Sequence, residues 1–468
     1  MSEHSPAPAS LAEFSTWAPL LRLLRAEQDR ESDAEAVRVA GRVGREDLSP
    51  ALARMVPSAG GAEPAEGARE WCGAVERVRA ALVAAGLDAV SFNARTEAGG
   101  ECVLRLRAAS PAVESGVGTD PGVLVLVDGA VPEPWRRLPE PVPGMVPAGS
   151  VDLESLERTL RARLPRAVGA TAEEIAAAEA RLGITLPEEL RVLYRVTRAR
   201  WEDLRDGDHA SVVAEDSDVD CELFDLDGLY VADAASRPRP WRFAATEAVV
   251  TGPDAAVQGL VGSPGWIVFG DNGGGDRLAV DLTPGPGGHL GQIVMISHED
   301  SIGAELVADS LTDFLLGRLA EEPDGARERP PSAVAHVNIA SLRGVEVAAH
   351  PGLEVLCVGV WDDAPLRLAP LVGLPRLRTL TAYPGTLADP SEIAALTGLE
   401  FLELGPEEWR VLLDAGAVPR SLLAASVIVR GERPTPGEVR ALANEILDLW
   451  HRPRILRTVL EADLGPLR

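Results

Sequence analysis

The sequence predicts an α+β protein in which helices pack on an antiparallel sheet, preceded by a small α/β unit and followed by a region of repeating leucines. Three observations predict it. Apolar residues recur at helical spacing through residues 151–196, three short apolar runs with Gly-rich connections follow at 265–296, and an L-x-x-L-x-apolar core recurs three times in the last third. Helices and strands that come in runs, rather than alternating, place the helices on one side of an antiparallel sheet.

Composition bounds the rest. The chain has 468 residues, 46% of them apolar and 25% charged, enough for about three ordinary domains with cores. Only 4% are aromatic, so those cores are built from Leu, Val and Ala. Every basic residue is Arg, and with so much Ala, Gly and Pro the usage resembles that of a GC-rich bacterial genome. A net charge of −27 repels a phosphate backbone, so direct nucleic-acid binding is not expected unless a basic face is segregated. The same field attracts a basic partner. Four cysteines without a CxxC pair point to free thiols in a reducing cytoplasm. No signal peptide and no 18-residue apolar stretch is present, so a soluble, cytoplasmic protein without membrane contact is expected.

Residues 1–67 read as a helical, partly disordered segment with one helix near Phe14–Arg30. Residues 68–138 form a small α/β unit: Trp71, Val75, Val78 and Leu82 share a helical face, Gly86 stops the helix, and AVSFNA, ECVLRLRA and GVLVLVDG read as strands. Pro/Gly-rich linkers at 57–67, 139–147 and 321–331 separate the segments.

Residues 151–320 are the most informative. Leu153, Leu156, Leu160 and Leu164 mark a first amphipathic helix. Thr171 and Glu174 form a capping-box pair at the start of a second, which Gly183 closes. Pro187 opens a third at its first position, with Glu188 and Glu189 favourable to the dipole. The runs 265–270, 277–282 and 291–296 make an antiparallel meander, and a last helix from Ser310 buries Leu311, Phe314, Leu315 and Leu319. In residues 332–468, Leu353, Leu377 and Leu399 open the three L-x-x-L copies with a leucine-rich-repeat-like period.

Two blocks of the central segment resemble the SUKH superfamily. The first is carried by Leu182, Gly183, Leu186, Pro187, Leu190, Leu193 and Tyr194. The second is carried by Trp266, Phe269, Gly270, Gly274, Gly275, Asp276, Asp281 and Leu282. The family includes fungal regulators of cell-wall synthesis and bacterial immunity proteins. The resemblance implies an SUKH-like binding domain over 151–320 with no shared catalytic residues and no cofactor. One departure follows the Tyr helix: where the family often has a Gly- or Asn-containing stop, this chain reads Val196, Thr197, Arg198, Ala199, Arg200 and Trp201.

The stretch Glu202–Asp227 holds eleven acids and one Arg. Trp201, Glu202, Asp203, Asp216, Asp218, Asp220, Asp225 and Asp227 are the candidate contacts to a basic partner, by charge and, for Trp201, as an aromatic anchor. The alternative is a solvated loop. The spacing Asp216, Asp218, Asp220 echoes a calcium loop, but Cys221 stands where Gly is needed, so no metal is expected. The Gly273–Gly275 run reads as a hairpin needing positive φ, with Asp271 and Asp276 bonding the turn, rather than as a phosphate cradle. Seven scattered histidines, of which His289 and His298 could approach Asp281, offer no recognisable catalytic motif. The expectation is a non-catalytic protein-binding module of immunity or antitoxin type, meeting a basic effector such as a nuclease or deaminase toxin. The alternatives are a multi-domain regulatory adaptor of the cell-wall or envelope type, and an enzyme with an unrecognised site.

Overall fold

The computed structural model describes residues 11–29, 36–45, 48–49, 52, 66–87, 89–109, 113–115, 123–126, 129–200, 219, 221–237, 241–300, 302–320, 332–429 and 435–465. The chain divides into two compact units, one of residues 1–130, 358–372 and 380–468, the other of 131–357 and 373–379.

The first unit opens with α1 (Phe14–Asp29), β1 (Ala36–Gly44), α2 (Glu66–Ala84), β2 (Ala89–Glu97) and β3 (Glu101–Ala109). β1, β2 and β3 pair antiparallel, and one face of this sheet shares a core with the two helices. Trp17, Leu20, Leu21 and Val78 lie there with Phe92, Leu104 and Leu106. Trp17 sits 5.5 Å from Phe92, ring to ring. β1 was not expected from the sequence. Its Val37, Val39 and Val43 point into the core, but the intervening Ala, Gly and Arg weaken the apolar alternation. β4 (Val113–Ser115) and β5 (Val123–Leu126) follow. β5 is not the third strand of the 68–138 unit; it joins a different sheet.

The second unit begins with α3 (Glu133–Arg136), α4 (Leu153–Arg163), α5 (Ala172–Leu182) and α6 (Glu188–Val196). After these come the short strands β6 (Glu222–Leu223) and β7 (Tyr230–Val231) and the single turn α7 (Trp241–Ala244). The meander β8 (Trp266–Asp271), β9 (Arg277–Asp281), β10 (Gln292–Ile296) and β11 (Glu305–Ala308) then leads into α8 (Leu311–Leu315). The strand order is β11-β10-β9-β8-β6, every pair antiparallel, with β7 also on β8. This is the expected α+β architecture.

The meander is buried on both faces, which explains its near-continuous apolar strands. Ile267, Phe269, Leu278, Val280 and Ile293 face the helices, packed with Leu156, Leu160, Leu190, Leu193, Leu311 and Phe314. Trp266, Val268, Ala279, Val294 and Ile296 face the other way, onto Trp135, Ala244, Val249 and Leu260. Leu319 does not join the last helix. α8 ends at Leu315, Gly317 turns with φ +69°, and Leu319 is exposed.

Still in this unit, β12 (Val334–Val337) pairs with β13 (Val355–Val358), with the short α9 (Val345–Ala348) between them. The fully buried Glu354 beside β13 accepts hydrogen bonds from Arg137 at 3.0 and 3.1 Å, from Arg378 at 3.3 Å and from Arg376. A lone buried carboxylate would be costly, and this fork of guanidinium donors is what makes the site tenable.

The chain then completes the first unit. β14 (Thr379–Ala382), β15 (Phe401–Leu404), α10 (Pro406–Asp414) and β16 (Ala424–Val427) build a sheet in the order β14-β15-β16-β5-β4. α11 (Pro436–Leu449) and β17 (Leu456–Asp463) end the described chain. Leu353, Leu377 and Leu399 are all buried, each two residues ahead of β13, β14 and β15. The strands thus recur with the leucine period, while a leucine-rich-repeat identity for this region rests on the sequence pattern alone. β17 pairs antiparallel with β3 through eight residues. Strand pairing therefore joins stretches that the sequence divides into 1–67, 68–138 and 332–468, because the open edge of β3 is satisfied by a strand from the far end of the chain.

Candidate partner-binding site

The site is built on α5 and α6. Thr171 accepts the Glu174 N–H at 3.2 Å while the Glu174 carboxylate accepts the Thr171 N–H at 2.8 Å, so the expected capping box is present. That backbone hydrogen bond, with Arg200 and Arg198 nearby, holds the Glu174 carboxyl below its usual range. Gly183 ends α5 at φ +69°, a left-handed position that suits glycine, and Leu182 packs partly buried against the core. Leu186, Leu190 and Leu193 are buried. Pro187 is the N-cap of α6, one place before the first helical residue that the sequence assigned to it, because its φ of −56° is paired with an extended ψ of 150°.

Tyr194 is completely buried, and its hydroxyl donates to the Phe224 carbonyl at 2.9 Å. Burial pushes its pKa well above that of a free phenol. Arg181 donates to the carbonyls of Leu226 at 2.6 Å and Leu229 at 3.0 Å. β6 pairs with the end of β8, and the Arg277 guanidinium lies over the Phe224 ring at 5.4 Å. The C-terminal end of the acid-rich stretch is therefore bound to both helix and sheet. The chain entering that stretch is bound too: the Arg198 N–H reaches the Val168 carbonyl at 2.8 Å. Ala199 follows with φ +51°, its N–H on the Thr197 hydroxyl at 3.1 Å. This is the stretch where the sequence departs from the pattern it resembles, and Ala199 takes a left-handed conformation without glycine.

Of the eight candidate contact residues, Trp201, Glu202, Asp203, Asp216, Asp218 and Asp220 lie outside the described residues. Asp225 is half-buried and accepts the Gly228 N–H at 2.7 Å, a turn role. Asp227 is exposed, with Arg200 3.8 Å away. Arg200 and Arg198 also lie 3.3 and 3.6 Å from Glu174, so two cations at this edge are shared among the local carboxylates.

The second motif block forms the β8–β9 hairpin and the buried base beneath it. Asp271 accepts the N–H groups of Gly273 at 2.6 Å and Gly275 at 3.3 Å and pairs with Arg277. Gly273 and Gly275 have φ of +79° and +102°, as a tight turn requires. Asn272, which the sequence reading passed over, accepts the N–H groups of Gly274 and Asp276 at 2.8 and 3.1 Å. Asp276 is turned outward to His298, whose N–H and Nδ1 lie 3.0 and 2.8 Å from its carboxylate. These contacts hold the Asp276 carboxyl below its usual range. Gly270 has no room for a side chain, since a Cβ would lie 2.9 Å from the Glu222 carbonyl.

Trp266 and Phe269 are fully buried, and Leu282 packs against the helix-side core. Asp281, also fully buried, accepts the Thr283 N–H at 2.7 Å and Gln292 Nε2 at 3.0 Å. Burial still pushes its pKa up. Neither histidine meets it directly: His298 pairs with Asp276, and the His289 N–H donates to Gln292. Sequence reasoning missed Gln292 altogether and, for Glu189, saw only its place in a first helical turn and not its buried contacts. Glu189 is buried and accepts Thr312 N–H at 2.8 Å, Thr312 hydroxyl at 2.6 Å and Leu311 N–H at 3.4 Å, so α6 caps the start of α8. Among the described residues, no group of three or more His, Cys, Asp or Glu is placed to hold a metal ion, and no helix is long and apolar enough to cross a membrane.

Comparison with known proteins agrees with this frame. Residues 169–317 match the model of the SMI1 / KNR4 family (SUKH-1). A glucan synthesis regulatory protein of Neurospora crassa is 38% identical over 95 residues, 20% of this chain and 18% of that protein. The KNR4/SMI1 homolog of Eremothecium gossypii is 38% identical over 65 residues, 14% of this chain and 10% of the relative. The cell wall biosynthesis/cell cycle regulator smi1 of Schizosaccharomyces pombe is 38% identical over 63 residues, 14% and 12% of the two chains. The chain thus spans less than a fifth of each relative, and these relatives are fungal although the composition resembles bacterial usage. Residues 169–317 form an SMI1/KNR4 (SUKH-1) domain within a longer chain.

Proposed function

We propose that this chain is a regulatory protein-binding protein, without catalysis of its own, whose SUKH-1 domain docks a basic partner through the acid-rich segment 202–227. The observation that carries the reading is the double anchoring of that segment. Arg198 ties its entry to Val168, and Tyr194 and Arg181 tie its exit to the helices. A charged segment held at both ends loses less freedom on binding than a free tail, and its field speeds encounter with a cation. The regulatory part of the reading is supported by the names of the fungal relatives, which describe glucan synthesis and cell wall regulation.

The finer reading is an immunity-type role, with a nuclease or deaminase toxin as the basic partner. It is favoured by eleven acids against one Arg in a single stretch, a charge pattern that mimics phosphate. The test begins with proteins captured by the full chain from its native host. Against the captured partner, the triple variant Asp216→Arg, Asp218→Arg, Asp220→Arg is then compared by surface plasmon resonance over a salt series. Association should slow by about tenfold or more at low salt and lose most of its salt dependence. Unchanged association would remove the acid segment from the interface. A secreted toxin domain as partner selects immunity; a component of an envelope assembly selects regulation.

A further inference from the structure

In the first unit, alternate residues of β1, β2, β3 and β17 face away from the α1–α2 core, and this outer face is sorted by charge. One in-register row reads Arg42, Ser91, Arg107, Arg457, and the next reads Ala40, Asn93, Arg105, Val459. Helix α11 contributes Arg440. A cavity of about 790 Å³ is lined by Ser91, Asn93, Arg105, Arg107, Arg440 and Arg457, together with apolar residues such as Ile455. Its volume falls within the range of small-molecule pockets.

Four guanidinium groups therefore share one cavity in a chain whose net charge is −27. Among the described residues no carboxylate pairs with Arg105, Arg440 or Arg457, although carboxylates outnumber cations along the chain. Burial and the neighbouring Arg457 charge push the Arg440 pKa down, and burial does the same to Arg107. Arg105, Arg440 and Arg457, brought together with no paired carboxylate among the described residues, repel one another, and an anion relieves that repulsion. Arginine presents the planar fork that bonds oxyanions two at a time.

We infer that this cavity binds a small molecule bearing at least two negative charges on phosphate or carboxylate oxygens. Arg105, Arg440 and Arg457 supply the charge, and Ser91 and Asn93 supply neutral hydrogen bonds. The rest of the face argues for a compact ligand rather than a nucleic-acid strand. Farther along the same strands the outward residues become Glu97, Glu101, Glu461 and Asp463, which would repel a polyanion laid across the sheet.

The experiment is isothermal titration of the full chain with pyrophosphate and, separately, with citrate, at an ionic strength matched with sodium chloride. At least one should bind saturably at a single site, and the stronger identifies phosphate or carboxylate chemistry. The double variant Arg105→Gln, Arg457→Gln changes two exposed side chains, and its fold is checked by its melting temperature. It should weaken binding by about tenfold or more, as should Arg440→Gln alone. Saturable binding by neither anion, affinity unchanged in both variants, or tighter binding of a single-stranded oligonucleotide than of either small anion would overturn the inference.

Discussion

At the scale of single residues, the SUKH-1 domain holds two side chains at odds with their surroundings. Ala199 has φ +51°, a region that costs a non-glycine residue roughly 1–2 kcal/mol. Glycine enters it freely but loses more entropy on folding, so Ala199→Gly should stabilise the domain by about 0.5–1 kcal/mol, read from urea midpoints. A lower midpoint would mean that the alanine methyl is needed for packing. Asp281 is the other. Its pKa is raised above the ordinary 3.8 by burial, so the folded state keeps a proton that the unfolded chain has already released. Stability contributed by this group therefore falls as pH rises from the ordinary value through the raised one, and then levels. Asp281→Asn should abolish that slope while lowering overall stability, because one of the two accepting oxygens becomes an N–H₂ that faces a donor, either Thr283 or Gln292. A slope that survives the substitution would assign it to another group.

At the scale of elements, the second unit is held as much by buried polar joints as by its apolar core. Glu189 on α6 accepts the first N–H groups of α8, a five-residue helix too short to be stable by itself. Glu189→Ala should cost about 1–3 kcal/mol, for an orphaned helix start and a small cavity, and should raise amide exchange at Leu311 and Thr312 before the meander opens. Equal protection in both proteins would show that the Ser310 cap, which accepts the Asp313 N–H at 3.0 Å, suffices. Elements with local chemistry were legible in sequence: the Thr171–Glu174 box, the Gly183 stop and the glycines of the β8–β9 turn each declare a backbone need within a few residues. Joints such as Glu189 to α8, or Gln292 to Asp281, were not. Each links residues distant in sequence, and a glutamate in a first helical turn already has a sufficient local explanation in the dipole.

At the scale of the whole molecule, the largest gap between sequence and structure is the pair of edge strands of the first sheet, β1 and β17. The outward Arg38 and Arg42 of β1 were hidden by a composition in which all basic residues are Arg, and β17 lies hundreds of residues from the strand it pairs with. The acid segment was read in sequence as the charged feature of the chain, yet six of its eight candidate contacts lie outside the described residues. The cationic face of the first sheet, by contrast, emerged only once register put its residues side by side. Removing residues 456–468 should uncover the β3 edge and take Leu456, Leu460 and Leu464 from the first core. The shortened protein should lose the unfolding transition of the first unit and gain aggregation by light scattering, while the 169–317 domain still melts cooperatively. Retention of both transitions would show that β17 is dispensable.

The pairing of residues 101–108 with 456–463 also imposes an order on folding during synthesis. As the chain leaves the ribosome, the SUKH-1 domain emerges entire while β3 still waits for its neighbour, so that domain is complete before the sheet that carries the arginines. A nascent chain thus holds one finished domain beside an unfinished sheet, and any chaperone that shields it has the exposed margin of β3 to cover in the interval.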